Sequence, residues 1–464
     1  MGHQSSPDSA RPSRPSSDGL SGPTHSVASR GGPLRLGPLR DEVVDHRFKG
    51  LPPDAAGLTV GALADQRRNL FEGGFGTPVL TLSEEALEHN LTTMADYTAA
   101  HGLAFAPHGK TSMAPQLFAR QLERGAWGVT VANPAQLRVC RAFGVPRVFL
   151  ANELVDAAAL RALAAELSAD PGFRCVVYVD SVAGVRLMDE ALRSAGGSRP
   201  LDVVVELGAG DGARTGVRTE GEAAAVADAV GATGTLRLVG VAGYEGEVPG
   251  ADVARVATWL ERLVALAADF DRAGRFSGGS CGPVEEIVVS AGGSAWFDAV
   301  AEVFARIPAL SAPVLKLLRS GAYVSHDEGQ YRTVTPFNRV PDEGGLRSAF
   351  TLWAQVVSRP EPRQAFLNAG KRDAAHDLHL PVPRVVREAG TGRLLPADGI
   401  TLTALSDQHS WLSVDPEAAS GGGPAVGDWI GLGMSHPCTI FDKWQLIPVT
   451  TEDGSAVEYV RTFF

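Results

Sequence analysis

The sequence predicts an α/β protein made of a (β/α)8 barrel followed by an all-β domain. Three observations carry that expectation. From Thr77 to about residue 334, short apolar runs alternate with helical runs. Eight of the apolar runs are apolar along their whole length, as strands of a parallel sheet buried on both faces should be. Beyond residue 335 the helical periodicity fades, and apolar runs broken by Gly and Pro take over. A doubly wound open sheet has the same alternation and is the rival to the barrel.

The elements follow in order. Residues 1–40 are rich in Ser, Pro, Gly and Arg, with little to bury, and are expected to be a disordered tail. They lack the apolar stretch of a signal peptide. "MGHQSS" fits the short pattern for N-myristoylation, a pattern that often arises by accident. Residues 41–76 read as an N-terminal segment packing with the β domain, with folded structure starting between Asp41 and Thr77. "TPVLTL" is a strand signal, and "SEEALEHNLTTMADY" after it puts Leu87, Leu91 and Met94 on one helical stripe. The eight barrel strands are then "GLAFAP" (102–107), "WGVTVA" (127–132), "RVFLA" (147–151), "RCVVYV" (174–179), "LDVVVEL" (201–207), "LRLVGVAG" (236–243), "EEIVVSA" (285–291) and "PVLKLL" (313–318). The barrel domain is therefore 77–334 and the β domain 335–464.

Composition narrows the function. Apolar residues make up 44% and charged residues 20%, which is ordinary for a globular protein. No apolar run is long enough to span a membrane. A formal charge of −11 argues against nucleic acid and anionic membrane partners. Cys140, Cys175, Cys281 and Cys438 are widely spaced, with no CxxC, which suits a reduced, cytoplasmic protein.

In a barrel, chemistry belongs where the strands end. Lys110 follows the first barrel strand in "PHGKTS", Arg214 the fifth in "GAGDGARTGV", and Tyr244 the sixth in "GYEGE". The seventh is followed by "SAGGS" (Ser290, Gly292, Gly293, Ser294), and the eighth by "RSGAYVSHD" with Arg319 and Tyr323. Amides of a Gly-rich turn ahead of a helix cradle phosphate, although an ordinary strand–helix turn has the same glycines. A lysine in a confined site can lose its proton and form a Schiff base. A lysine at one strand end and a phosphate cradle at another point to pyridoxal 5′-phosphate.

These motifs, in this order, with "HPC" near the C-terminus, resemble the D-serine dehydratase and D-threonine aldolase family of alanine racemase-type barrels, and most of all its amino acid deaminases. The resemblance covers roughly residues 70 to 450. It implies that Lys110 holds the cofactor, that Ser290, Gly292, Gly293, Ser294 and Tyr323 bind its phosphate, that Arg214 lies near the ring or the substrate carboxylate, and that Tyr244 lies near the cofactor. It also implies a homodimer in which the β domain covers a partner's barrel mouth. The chain departs from the family after its lysine, where Thr111-Ser112-Met113 replaces the usual Thr-His-Lys.

His436 and Cys438 are two positions apart, so an extended backbone would turn both to one side. Taken alone, such a pair reads more simply as a half-buried Cys and a hydrogen-bonded His. The resemblance makes them ligands of zinc, or of another divalent ion, and a two-ligand site leaves positions open for water and substrate. A Lewis acid on the β-hydroxyl of a D-3-hydroxy amino acid would ease its departure, giving a 2-oxo acid and ammonia. The expected function is thus a lyase, a D-serine-like dehydratase or deaminase. The alternative is an aldolase releasing glycine and an aldehyde, in which His409 could serve as a second base, though a surface or core role is the simpler reading of that residue. A racemase would have no use for a metal pair. A non-catalytic pyridoxal phosphate carrier is the remaining rival, and the added β domain argues against it.

Overall fold

A computed structural model describes residues 32–464. The tail expected over 1–40 and the myristoylation pattern fall mostly outside them. Packed structure is already present before Asp41, because "PLRLGPLR" does have side chains to bury: Leu39, in the short helix Gly37–Asp41, is buried, and the Arg35 N–H donates to Phe143 O at 2.9 Å.

The strand β1 (Val79–Ser83) precedes eight parallel strands: β2 (Ala104–Phe105), β3 (Val129–Val131), β4 (Arg147–Glu153), β5 (Arg174–Val179), β6 (Leu201–Leu207), β7 (Leu236–Gly243), β8 (Ile287–Ala291) and β9 (Val314–Leu318). They pair in the order β2-β9-β8-β7-β6-β5-β4-β3. The two ends of that row meet. The Trp127 N–H donates to Phe105 O at 2.6 Å, the Thr130 N–H to Pro107 O at 2.8 Å, and His108 bridges Thr130 in parallel. This closure decides against an open sheet. Helices between the strands start where the sequence offers a side-chain acceptor: Ser83, Asp156 and Asp252 accept the N–H groups of Ala86, Ala159 and Arg255. Each such cap is worth about 1 kcal/mol.

The second sheet holds ten strands. Nine come from the C-terminal part: β10 (Phe350–Glu361), β11 (Gln364–Leu367), β12 (Val382–Arg387), β13 (Leu394–Pro396), β14 (Ile400–Leu405), β15 (Ser410–Val414), β16 (Trp429–Gly433), β17 (Leu446–Thr450) and β18 (Ala456–Arg461). The tenth is β1. The sequence grouped it with the barrel, but it runs antiparallel to β10 and parallel to β17. A five-residue strand buried along its length is equally suited to either sheet, so periodicity could not choose. The N-terminal segment packs on the same side: Val44, Phe48, Leu63 and Leu70 share a core with Trp353, Leu446 and Tyr459. Among the described residues no helix is long and apolar enough to cross a membrane, and all four cysteines are unpaired.

Candidate active site

The C-terminal ends of the barrel strands form one mouth, and Lys110 stands in it. The chain leaves β2 through Pro107 and His108 and makes one tight turn, Gly109–Thr111. Gly109 is required there, since a Cβ would meet Val129 Cγ1 at 2.5 Å. The Lys110 side chain is open to water but lies deep in the mouth. Burial by the surrounding protein pushes its pKa below the usual lysine value, Arg214 and Arg319 push the same way, and Cys438 opposes them. A lysine that loses its proton readily is what a nucleophilic or basic amine requires. His108 beside it is held neutral by burial, and its Nδ1 has no hydrogen-bond partner. Two positions depart from the family pattern in the segment after the lysine. Ser112 and Met113 are buried, and Met113 O accepts the Phe463 N–H at 3.0 Å.

The turn after β8 and the turn after β9 are stitched together. Ser294 Oγ lies 3.0 Å from Ser320 Oγ and accepts the Ala322 N–H at 3.3 Å. Gly292 has a φ of +114°, and a Cβ on it would meet Leu318 at 2.5 Å. A Cβ on Gly293 would meet the Tyr244 ring at 2.8 Å, and one on Gly321 would meet Thr111 Oγ1 at 2.6 Å. Backbone without side chains is thus brought between Tyr244 and the Lys110 turn. Gly293→Ala is expected to weaken cofactor affinity about tenfold or more while leaving the fold intact, as a cofactor titration would show; unchanged affinity would remove this turn from the cofactor site.

Two side chains assigned to this cradle are engaged elsewhere. Ser290 Oγ donates to Leu317 O and accepts from Arg319 Nε, both at 2.9 Å, beneath the turn. Tyr323 is buried, with its hydroxyl on Gln121 Nε2 at 3.0 Å and its ring 5.3 Å from that of Phe105. Arg214 lies on an exposed loop and is ion-paired with Glu247, three residues beyond Tyr244. Burial and the neighbouring Glu245 push the Tyr244 phenol up to about 12, so it stays a hydroxyl.

The His-Pro-Cys turn follows β16 and reaches the same mouth. Cys438 Sγ lies 3.5 Å from Thr111 Oγ1, so the metal-capable pair and the lysine turn meet within one chain. His436 donates from Nδ1 to Asp377 Oδ2 at 2.5 Å, and Thr439 Oγ1 donates to Asp377 Oδ1 at 2.7 Å. A carboxylate on Nδ1 leaves Nε2 as the free donor, the usual arrangement behind a metal-binding histidine. Cys438 first, and Asp377 as well, raise the His436 pKa to about 9. Asp377 was not evident from the sequence, 59 residues away. Asp377→Ala should cost 10- to 100-fold in metal affinity, measured by competition with a chelating dye; equal affinities would refute its orienting role.

Three more groups were missed. Glu153, Asp180 and Glu206 close β4, β5 and β6 with carboxylate oxygens within 4.8 Å of one another. Burial, then Glu206, pushes Glu153 up to about 9. Each is the acidic residue ending or following an apolar run, which was a readable signal. Glu245 and Arg319 are buried beside the glycine turn. His409 sits on the exposed hairpin between β14 and β15.

Comparison with known proteins agrees with this geometry. The alanine racemase N-terminal domain family matches residues 82–281, and the serine dehydratase domain family matches residues 349–450. D-threonine aldolase of an Arthrobacter species is 27% identical over 361 residues, covering 78% of this chain and 85% of that protein. The chain thus carries an alanine racemase-type N-terminal domain and a serine dehydratase-type domain, and is similar to D-threonine aldolases. A further relative, 3-hydroxy-D-aspartate aldolase of Paracoccus denitrificans, is 26% identical over 341 residues, 71% of this chain and 80% of that one. The crystal structure of D-threonine aldolase from Filomicrobium marinum superposes with a TM-score of 0.68 at 25% identity, covering 84% of this chain and 95% of that one. D-threo-3-hydroxyaspartate dehydratase from Delftia sp. HT23 shares the fold, with a TM-score of 0.63 at 22% identity and coverage of 85% and 99%. Pyridoxal phosphate is the cofactor this likeness supports, and the residues here fit it: a lysine with a depressed pKa, glycine turns with no room for a Cβ, and a buried, unpartnered His108 Nδ1 beside the lysine.

Proposed function

We propose that the protein is a pyridoxal phosphate-dependent lyase of D-3-hydroxy amino acids, acting as a zinc-assisted dehydratase that releases a 2-oxo acid and ammonia. The observation that carries this reading is the meeting of Lys110 with the His436–Cys438 pair in a single mouth.

When bound, the cofactor supplies an electron sink for charge at the substrate Cα, and zinc supplies a Lewis acid for its β-oxygen. The chain's own groups do the rest. Lys110 Nζ holds the cofactor and then moves the α-proton, a task its depressed pKa favours. The turn of Gly292, Gly293 and Ser294 holds the phosphate. Arg214 faces the substrate carboxylate, and Tyr244 lines the mouth beside the glycine turn. His436 Nε2 and Cys438 Sγ hold the metal, and one imidazole with one thiolate favours zinc over harder ions. A homodimer in the cytoplasm completes the reading.

Incubation with D-serine, D-threonine and D-threo-3-hydroxyaspartate tests it. Ammonia and a 2-oxo acid in equal amounts, without aldehyde, are expected. Glycine and an aldehyde would instead establish the second reading, an aldolase, which the names of the curated relatives favour.

A further inference from the structure

Glu245 is the one carboxylate placed on the glycine turn. It begins a single helical turn after β7, where Tyr244 points to the mouth and Glu245 points inward, 0% exposed. Its Oε2 accepts the Gly292 N–H at 2.8 Å, and the Gly293 N–H also points to the carboxylate. Its Oε1 is buried and has no hydrogen-bond partner. That oxygen lies 3.6 Å from where a Gly293 Cβ would stand, on the face of the turn that has no side chain. The nearest cation is already committed: Arg319 donates from Nε to Ser290 Oγ and from Nη2 to Gly243 O.

This argument rests on the turn being the phosphate cradle. A phosphate held by this turn would stand against a buried carboxylate, and two like charges there cannot both persist without a cation between them. We propose that Glu245 is the proton-carrying partner of the cofactor phosphate: Oε2 keeps the Gly292 amide, and Oε1 carries a proton and donates it in a hydrogen bond to a phosphate oxygen. The proton comes from solvent and forms the Oε1–H bond; no other covalent bond in the side chain or the cofactor changes. The orphaned Oε1 thereby gains the partner that a buried polar atom requires. Burial already pushes the Glu245 pKa upward, against the pull of its own amide contacts and of Arg319. Tyr178 of β5 and Tyr244 also interact with Glu245, and Glu247 of the same turn, with Arg214 that it holds, acts on Tyr244.

The test compares the full-length wild type with E245Q, whose amide keeps both an acceptor for Gly292 and a donor for phosphate but carries no titrating proton. Pyridoxal phosphate is titrated by absorbance across pH 6.5 to about 9, with proton uptake read by calorimetry in buffers of different ionisation enthalpy. Protons belonging to the lysine and to the phosphate itself are common to both proteins and cancel. Wild-type affinity should fall relative to E245Q by up to about tenfold per pH unit, with about one more proton taken up per cofactor. Identical pH profiles and identical uptake would overturn the proposal. A measurement on the wild type alone serves if E245Q does not fold: cofactor binding should bring up a protonated-carboxyl stretch in the infrared difference spectrum, and its absence would overturn the proposal. Failure of both proteins to take up the cofactor would instead overturn the cofactor reading, and this inference with it.

Discussion

Lys110→Ala is expected to abolish turnover, with a loss of at least about 1,000-fold, and to remove the visible absorbance that the enzyme shows when loaded with pyridoxal phosphate. Both effects have one cause. In the proposed function the same Nζ supplies both the covalent hold on the cofactor and the base for the α-proton. Lys316, the nearest other lysine in the barrel strands, lies inside β9, away from its C-terminal end. The paired measurement separates chemistry from folding. The variant should keep its far-ultraviolet circular dichroism, because the Lys110 side chain is open to water and Gly109 and Thr111 hold the turn. A variant that folds, retains the absorbance band and still turns over would remove Lys110 from its role.

His436→Ala and Cys438→Ala should show the complementary pattern: the absorbance band stays, bound zinc is lost, and elimination falls by about 100-fold or more. The band survives because neither side chain touches the glycine turn. Cys438 meets the lysine segment at Thr111 Oγ1 and acts on Lys110 through its charge. The pH behaviour follows from His436. Cys438 and Asp377 favour the imidazolium, which therefore persists to about 9. A metal needs the neutral ring, so each ion bound below that pH displaces a proton. Apparent zinc affinity should therefore rise with pH, by up to about tenfold per unit, and level off for this group near pH 9. Zinc titrations between pH 6.5 and 9 would check the slope. A flat profile, or full elimination rate in metal-free variants, would exclude His436 and Cys438 as the metal pair.

Much of the barrel was legible because its information is local. Each of the eight strands is an apolar run of a few residues, and each candidate group at the mouth follows such a run directly. Lys110, Tyr244, Gly293 and Ser294 could be listed from spacing alone, since strand direction in a parallel barrel places whatever follows a strand at one end. The same rule would have found Glu153, Asp180 and Glu206, had acidic residues at strand ends been weighed with the lysine.

What the sequence alone determined, then, is the alternation of buried runs and the residue types that follow them, because both depend on neighbours a few positions apart. Only the tertiary structure decided partners. Strand β1 could have joined either sheet until its register with β10 placed Val79 opposite Trp353. Ser290 and Tyr323 sit in the expected motifs, yet their hydroxyls are engaged by Leu317, Arg319 and Gln121. Asp377 meets His436, and Cys438 meets Thr111, across separations of 59 and 327 residues. A hydroxyl or a carboxylate takes the partner that chain closure brings to it, and closure depends on the packing of the whole molecule.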